Sequence, residues 1–127
     1  MDERRTVETK QAAAAVGPYS QAVVAAGWIW ISGQIGIAPD SGQLVSGGIE
    51  AETRQALRNL LAILAAAGSA PGRLVKATIY LADMRDFEVV NRVYAGVFGE
   101  NPPARACVEV SGLPKGARVE IDAVALS

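Results

Sequence analysis

Arg105, Cys107 and Glu109 alternate with Ala104, Ala106, Val108 and Val110 near the carboxyl end of the chain. In a strand, that alternation sets the arginine and its two fellows on one side. An arginine in so apolar a strand calls for an anionic partner, and two kinds fit. One is an internal salt bridge, with Glu120 as the candidate acid. The other is a ligand carboxylate, which a guanidinium grips through two parallel hydrogen bonds and thereby orients. Glu120 interrupts the apolar positions Val119, Ile121, Ala123 and Ala125, together with Arg118 and Asp122. It is either a solvated carboxylate on an outer face or, if it shares a groove with Arg105, a group able to position or deprotonate a water. Those two side chains would suffice for a hydrolysis.

Other residues offer less. Asn91 falls on a helical stripe with Phe87 and Tyr94, at spacings of four and three; an amide there either satisfies a neighbouring backbone group, the default, or points into a pocket. Tyr19 lies in the turn-rich loop Gly17-Pro18-Tyr19-Ser20-Gln21, where an exposed aromatic can cover a site. Ser32-Gly33-Gln34 ends a strand with a glycine, which admits close approach by a ligand but also marks a common bulge. Cys107 has Arg105 as its sole evident cationic neighbour, so a small buried thiol is the better description than a nucleophile. Its backbone groups matter more than its sulfur.

Composition removes several function classes. The chain has no histidine and one cysteine. That leaves no internal disulfide, no zinc or iron cluster, and no Ser-His-Asp or Cys-His catalysis. No metal or cofactor is expected. The net charge is -1 with scattered basic residues, which supplies no stripe for phosphates and makes nucleic acid a poor partner. No apolar run approaches the roughly 20 residues of a bilayer span. The start Met1-Asp2-Glu3-Arg4-Arg5 leads into polar residues, so a soluble, cytosolic protein is expected.

The 127 residues fit one domain, 1–127, without a linker or repeat. Arg5–Glu8 suggests a short edge strand, and Val23–Ala26, Gly27 and Trp28–Ser32 a hairpin. From Ile49 the positions Thr53, Ala56, Leu57, Leu60, Ile63, Leu64 and Ala67 recur at helical spacing. Glu50 and Glu52 in the first turn suit the helix dipole, and Gly68 is the C-terminal cap. Leu74–Leu81 alternates as a strand with Val75, Ala77, Ile79 and Leu81 on an apolar face. Asp83 or Asp86 caps a second helix with a buried stripe of Phe87, Val90, Tyr94, Val97 and Phe98. Ala104–Val110 and Arg118–Leu126 complete the strands. The order implies an α+β fold, a sheet with both helices on one face. Strands such as Trp28–Ser32 are apolar on both faces, so the uncovered side is expected to be buried by identical subunits.

The same residues carry a family resemblance. Gly17-Pro18-Tyr19-Ser20-Gln21-Ala22, Ile31-Ser32-Gly33-Gln34, Asp86-Phe87 with Val90-Asn91 and Tyr94, Pro103-Ala104-Arg105, Cys107-Val108-Glu109-Val110, Leu113-Pro114-Lys115-Gly116 and Val119-Glu120-Ile121 resemble, in order and spacing, signature segments of the Rid (reactive intermediate deaminase, YjgF-type) family. The resemblance runs from near residue 17 to the end of the chain.

It implies a chorismate-mutase-like α+β fold with one mixed sheet, and a homotrimer with sites in the clefts between subunits. It also implies an activity without cofactor: hydrolysis of 2-imino and enamine acids, such as 2-iminobutanoate and 2-iminopropanoate or 2-aminoacrylate, to 2-keto acids and ammonia. By resemblance Arg105 binds the substrate carboxylate and Glu120 orients the attacking water. Backbone groups at Cys107 and Gly33 meet the imine end, while Tyr19, Ser32 and Asn91 complete the wall. A protonated imine is already electrophilic, so oriented water with modest base assistance is enough. Two alternatives stand beside it: an endoribonuclease or translation inhibitor of the same family, and a non-catalytic binder of small carboxylates.

Overall fold

The computed structural model describes residues 3–127; Met1 and Asp2, which open the polar start, lie outside them. The elements are β1 (Arg5–Val7), β2 (Ala22–Ala25), β3 (Trp28–Gln34), α1 (Gly48–Ala66), β4 (Leu74–Leu81), α2 (Phe87–Phe98), β5 (Ala104–Glu109) and β6 (Val119–Leu126). They build one six-stranded sheet in the order β1-β2-β3-β6-β4-β5. It is mixed: β4 and β5 run parallel, and the remaining neighbours are antiparallel. The parallel pair needs a crossover, and α2 supplies it.

Local chemistry explains the main joints. Ala26 and Gly27 both take positive φ, 52° and 83°, the conformation of the two-residue hairpin turn whose twist matches that of its strands. At the end of α1, Gly68 has φ 88°; its N–H donates to the Ala65 carbonyl and Ser69 N–H to that of Leu64. This closes the helix by the Schellman pattern, which glycine adopts without a Cβ penalty.

The last strand, β6, lies between β3 and β4. Its inward residues Val119, Ile121, Ala123 and Ala125 are consequently buried, with Ile29, Ile31, Ile79 and Leu81 beside them and the α1 residues Leu57, Leu60, Ile63 and Leu64 above. Each large aliphatic chain so buried contributes about 2 kcal/mol. Val90 and Val93 of α2 join the same cluster, so both helices pack on one face as expected. The opposite face exposes Trp28, Trp30 and Val108.

Several expectations change. The register shifts between Leu74 and Lys76, so Leu74 is buried and Val75 is exposed, reversing their assigned sides. On α2, Val93 is buried and Val97 is exposed. Asp83 caps a separate 3-10 turn, Met84–Asp86, by accepting from Arg85 N–H. Asp86 occupies the N-cap of α2 without a side-chain bond. Strands β1, β5 and β6 are each one residue shorter than expected, without Glu8, Val110 and Arg118. Glu52 is no exposed dipole partner: it is wholly buried and holds Arg118, at 2.8 Å from its N–H and 2.6 Å from its guanidinium.

Candidate active site

On β5, Arg105 lies in register with Ala77 and Cys107 with Ile79. Both therefore face the helices. The Arg105 guanidinium sits 5.7 Å from the centre of the Phe87 ring and 5.0 Å from that of Tyr94, a cation–π bracket on α2. No ion pair among the described residues includes it. The expected internal salt bridge to Glu120 does not form. Glu120 is in register with Tyr80, one strand position out of phase with Ala77, so its side chain leaves the other face of the sheet.

Around Arg105 the polar groups are under-used. Asn91 Oδ1 and the Tyr94 hydroxyl are buried without a hydrogen-bond partner among the described residues, against the expectation that the asparagine serves the backbone. They border a cleft of roughly 340 Å3 with Phe98, Pro102, Pro103 and Arg105. Burial pushes the Tyr94 hydroxyl up, with Arg105 pulling weakly the other way. The Cys107 thiol is pushed up by the same two opposing causes. Glu109 is taken by the Met84 N–H at 2.7 Å.

A second cleft, of roughly 360 Å3, gathers Tyr19, Ser32, Gly33, Lys115 and Glu120. Its floor is a bulge in β3: the pairing with β6 shifts between Ile31 and Gln34, leaving Ser32 and Gly33 opposite one residue. A Cβ on Gly33 would overlap the Glu120 carboxylate, whose Cδ is 2.8 Å from that position. The close approach that glycine permits is made by the protein's own acid. Ser32 Oγ donates to the Ser20 carbonyl at 2.6 Å, and its N–H to that of Gln21 at 2.9 Å. The buried Gln21 amide accepts from Thr9 N–H and donates to the Thr9 and Ala13 carbonyls. These bonds hold the loop that presents Tyr19, half exposed, at the cleft. Burial raises the proton affinity of Glu120, and the neighbouring Asp122 raises it further.

The candidate residues thus fall into two sets. Arg105, Cys107 and Asn91 share the helix side, and Tyr19, Ser32, Gly33 and Glu120 share the outer cleft. Sequence reasoning gave Phe87 and Tyr94 no role toward Arg105, although their spacing of seven aligns them on one helical face. It quoted Lys115 in a signature segment but gave it no role in the site; its positive φ of 58° is unusual for a non-glycine residue and common in functional turns.

The chain matches the family model described as Endoribonuclease L-PSP over residues 9–127. It is 54% identical over 123 residues to the human 2-iminobutanoate/2-iminopropanoate deaminase, covering 97% of this chain and 90% of that protein. Among solved structures, a Rid-family protein of Yersinia pestis superimposes with a TM-score of 0.95 at 47% identity, covering 98% of this chain and 100% of the other. RidA of Psychrobacter does so with a TM-score of 0.94 at 41% identity, covering 97% and 99%. By the match to that family model over residues 9–127 and the 54% identity to the human deaminase, the chain belongs to the Rid family, the family of the L-PSP model.

Proposed function

We propose that this protein hydrolyses 2-imino acids, 2-iminobutanoate and 2-iminopropanoate among them, to 2-keto acids and ammonia. The observation that carries the reading is Arg105: an exposed guanidinium, without a carboxylate among the described residues, held between two rings and beside unpartnered polar atoms. Such a fork suits the planar carboxylate of a ligand. The 54% identity to the human deaminase supports the reaction.

The chemistry needs little more. Arg105 fixes the carboxylate and so places the adjacent C=N carbon. Glu120 accepts a hydrogen bond from a water and takes its proton as the oxygen adds to that carbon. The proton passes from Glu120 to nitrogen, and Glu120, again a carboxylate, takes the hydroxyl proton of the carbinolamine as the C=O bond forms, the C–N bond breaks and ammonia leaves. The keto acid remains. Backbone groups at Gly33 and Cys107 face the reacting end, and Tyr19, Ser32 and Asn91 form the wall. No cofactor takes part.

Because Arg105 and Glu120 leave opposite faces of one sheet, the complete site takes Arg105, Cys107 and Asn91 from one copy and Tyr19, Ser32, Gly33 and Glu120 from the next. Self-association also covers the exposed Trp28, Trp30 and Val108. A homotrimer in the cytosol is the assembly we infer, on the family resemblance; no helix among the described residues is long and apolar enough to cross a membrane. An RNA-directed activity gains nothing from a net charge of -1 with Arg54, Arg85, Arg92 and Arg118 tied to carboxylates.

The test generates imines with an amino-acid oxidase or a serine/threonine dehydratase and traps them with semicarbazide. Wild-type protein should speed imine loss and keto-acid formation, and Arg105→Ala should not. If wild type leaves the rate unchanged, the activity is refuted for these substrates.

A further inference from the structure

Beside Glu120 on the outer face of β6 stands a second acid that the proposed reaction does not use. We propose that Asp122, anchored by Tyr80, is a positioning residue that fixes a negative charge beside Glu120 and so assists that glutamate in taking the proton of the attacking water. This inference rests on the role given to Glu120 above.

The geometry begins with strand alternation, which sets Glu120 and Asp122 on the same face two residues apart, roughly 7 Å between their Cα atoms. Across the sheet, Tyr80 is the register partner of Glu120 and Thr78 that of Asp122. Yet the Tyr80 hydroxyl reaches diagonally and donates to Asp122 Oδ2 at 2.9 Å. The diagonal choice has two effects. It gives the Asp122 carboxylate a hydrogen-bond donor, and it leaves Glu120 without the one donor that its cross-strand neighbour could offer.

Glu120 accepts no side-chain hydrogen bond among the described residues; Asp122 has its phenol. It is partly buried over Gly33, in a cleft that also contains Ile35 and Ile37. A carboxylate that is desolvated, lacks a donor and faces a fixed anion holds its proton more tightly, each cause acting in the same direction. The direction of the Glu120 proton affinity agrees, burial leading and Asp122 second. Tyr80 in turn is made a weaker acid chiefly by its bond to Asp122.

The other charged or titratable groups around Glu120 do not cancel the effect. From β6 itself, Arg118 is drawn away to the buried Glu52 at 2.6 Å. From β4, Tyr80 is engaged and Lys76 lies four residues further along the strand. From β3 come the uncharged Ser32 and Gln34. The turn Pro114–Gly116 brings Lys115, an exposed cation at the cleft rim, and the preceding loop brings Tyr19. In the proposed assembly the next subunit adds Arg105, which is occupied by the substrate carboxylate.

For hydrolysis the consequence is direct. A glutamate that holds its proton more tightly takes it from the attacking water more readily and still returns it to the departing nitrogen. Two negative charges also face the cationic end of a protonated imine, and a keto-acid product lacks that end.

The experiment is a side-chain 13C carboxyl titration of the assembled protein saturated with a 2-keto acid, which occupies Arg105, with Glu120→Gln to assign the resonance, alongside the pH profile of kcat. Wild-type Glu120 should titrate above the ordinary glutamate range. Asp122→Asn should move that midpoint, and the acid limb of the profile, to lower pH, with kcat at neutral pH falling about threefold. An ordinary midpoint in wild type, or one unmoved by Asp122→Asn, overturns the proposal. Should Asp122→Asn fail to assemble, Asp122→Ser keeps an oxygen for Tyr80 and the wild-type titration still decides. A raised, Asp122-dependent midpoint in a protein that hydrolyses no imine would sink the reaction and leave the coupling standing.

Discussion

Arg105 on β5 and Glu120 on β6 flank the same strand, β4, yet project from opposite faces of the sheet, because one is in register with Ala77 and the other with Tyr80. Those two positions on β4 are three apart, an odd step, which is all that alternation needs to divide them. No rotamer change moves either side chain through a sheet whose centre is closely packed. Any chemistry that uses both on one substrate draws them from two copies of the chain.

Gly33 is where the glutamate half is most sensitive. A methyl group there meets the Glu120 carboxylate and not solvent, so Gly33→Ala should turn the acid aside. We expect kcat/KM for imine hydrolysis to drop at least about tenfold, equivalent to 1.4 kcal/mol, while circular dichroism and oligomer size stay as in wild type. An unchanged rate would mean that Glu120 does not act from over Gly33.

The bracket around Arg105 predicts a binding defect. Phe87→Leu removes one of two rings stacked on the guanidinium, a loss of about 0.5–1 kcal/mol. KM should rise roughly threefold with kcat nearly constant, and Phe87→Tyr should restore it. Steady-state kinetics on one imine separates this from a general folding defect, which would lower the active fraction and hence kcat.

Stability should depend on Arg118. Glu52 is fully buried and, among the described residues, has two donors, both from Arg118. Arg118→Ala keeps the backbone N–H and removes the guanidinium, leaving a buried charge under-compensated at a cost of roughly 3 kcal/mol. Urea unfolding at fixed protein concentration should show it as a lower midpoint. Glu52→Gln, which removes the charge as well, should be milder.

Cys107 should be a sluggish nucleophile. Burial raises its thiol above the usual value, with Arg105 only partly opposing, and the thiolate is the reactive form. Alkylation by iodoacetamide near neutral pH should be slower than for an unstructured cysteine peptide, and should accelerate only as the pH rises past the ordinary thiol range. Fast neutral labelling would contradict this.

How far the sequence could be read depends on the range over which each feature is decided. Helix α1 was legible from its stripe and Gly68, because both are local. The types of Arg105, Glu120 and Asn91 singled them out for the same reason. Their partition between faces was not legible. Glu120 alternates with buried Val119 and Ile121, but Arg105 alternates with residues such as Val108 that turn out to be exposed; the arginine faces α2 because β5 lies at the sheet edge beside a crossover helix. Glu52 differs from Glu50 by two positions in one turn, and its partner is 66 residues away, so nothing nearby marks it as buried. Val93 replaces Val97 in the core because the seven-residue stripe leaves open which shoulder of α2 meets α1.

The most direct measurement mixes two inactive variants. Arg105→Ala keeps an intact Glu120 half, and Glu120→Ala keeps an intact Arg105 half. Subunits of each, unfolded together and reassembled in equal amounts, should recover about one quarter of the wild-type imine hydrolysis, since in a ring that fraction of sites pairs the two intact halves. Either variant reassembled alone should stay inactive. If the mixture is no more active than its parents although mass spectrometry shows mixed oligomers, the site is not shared between copies and the account fails.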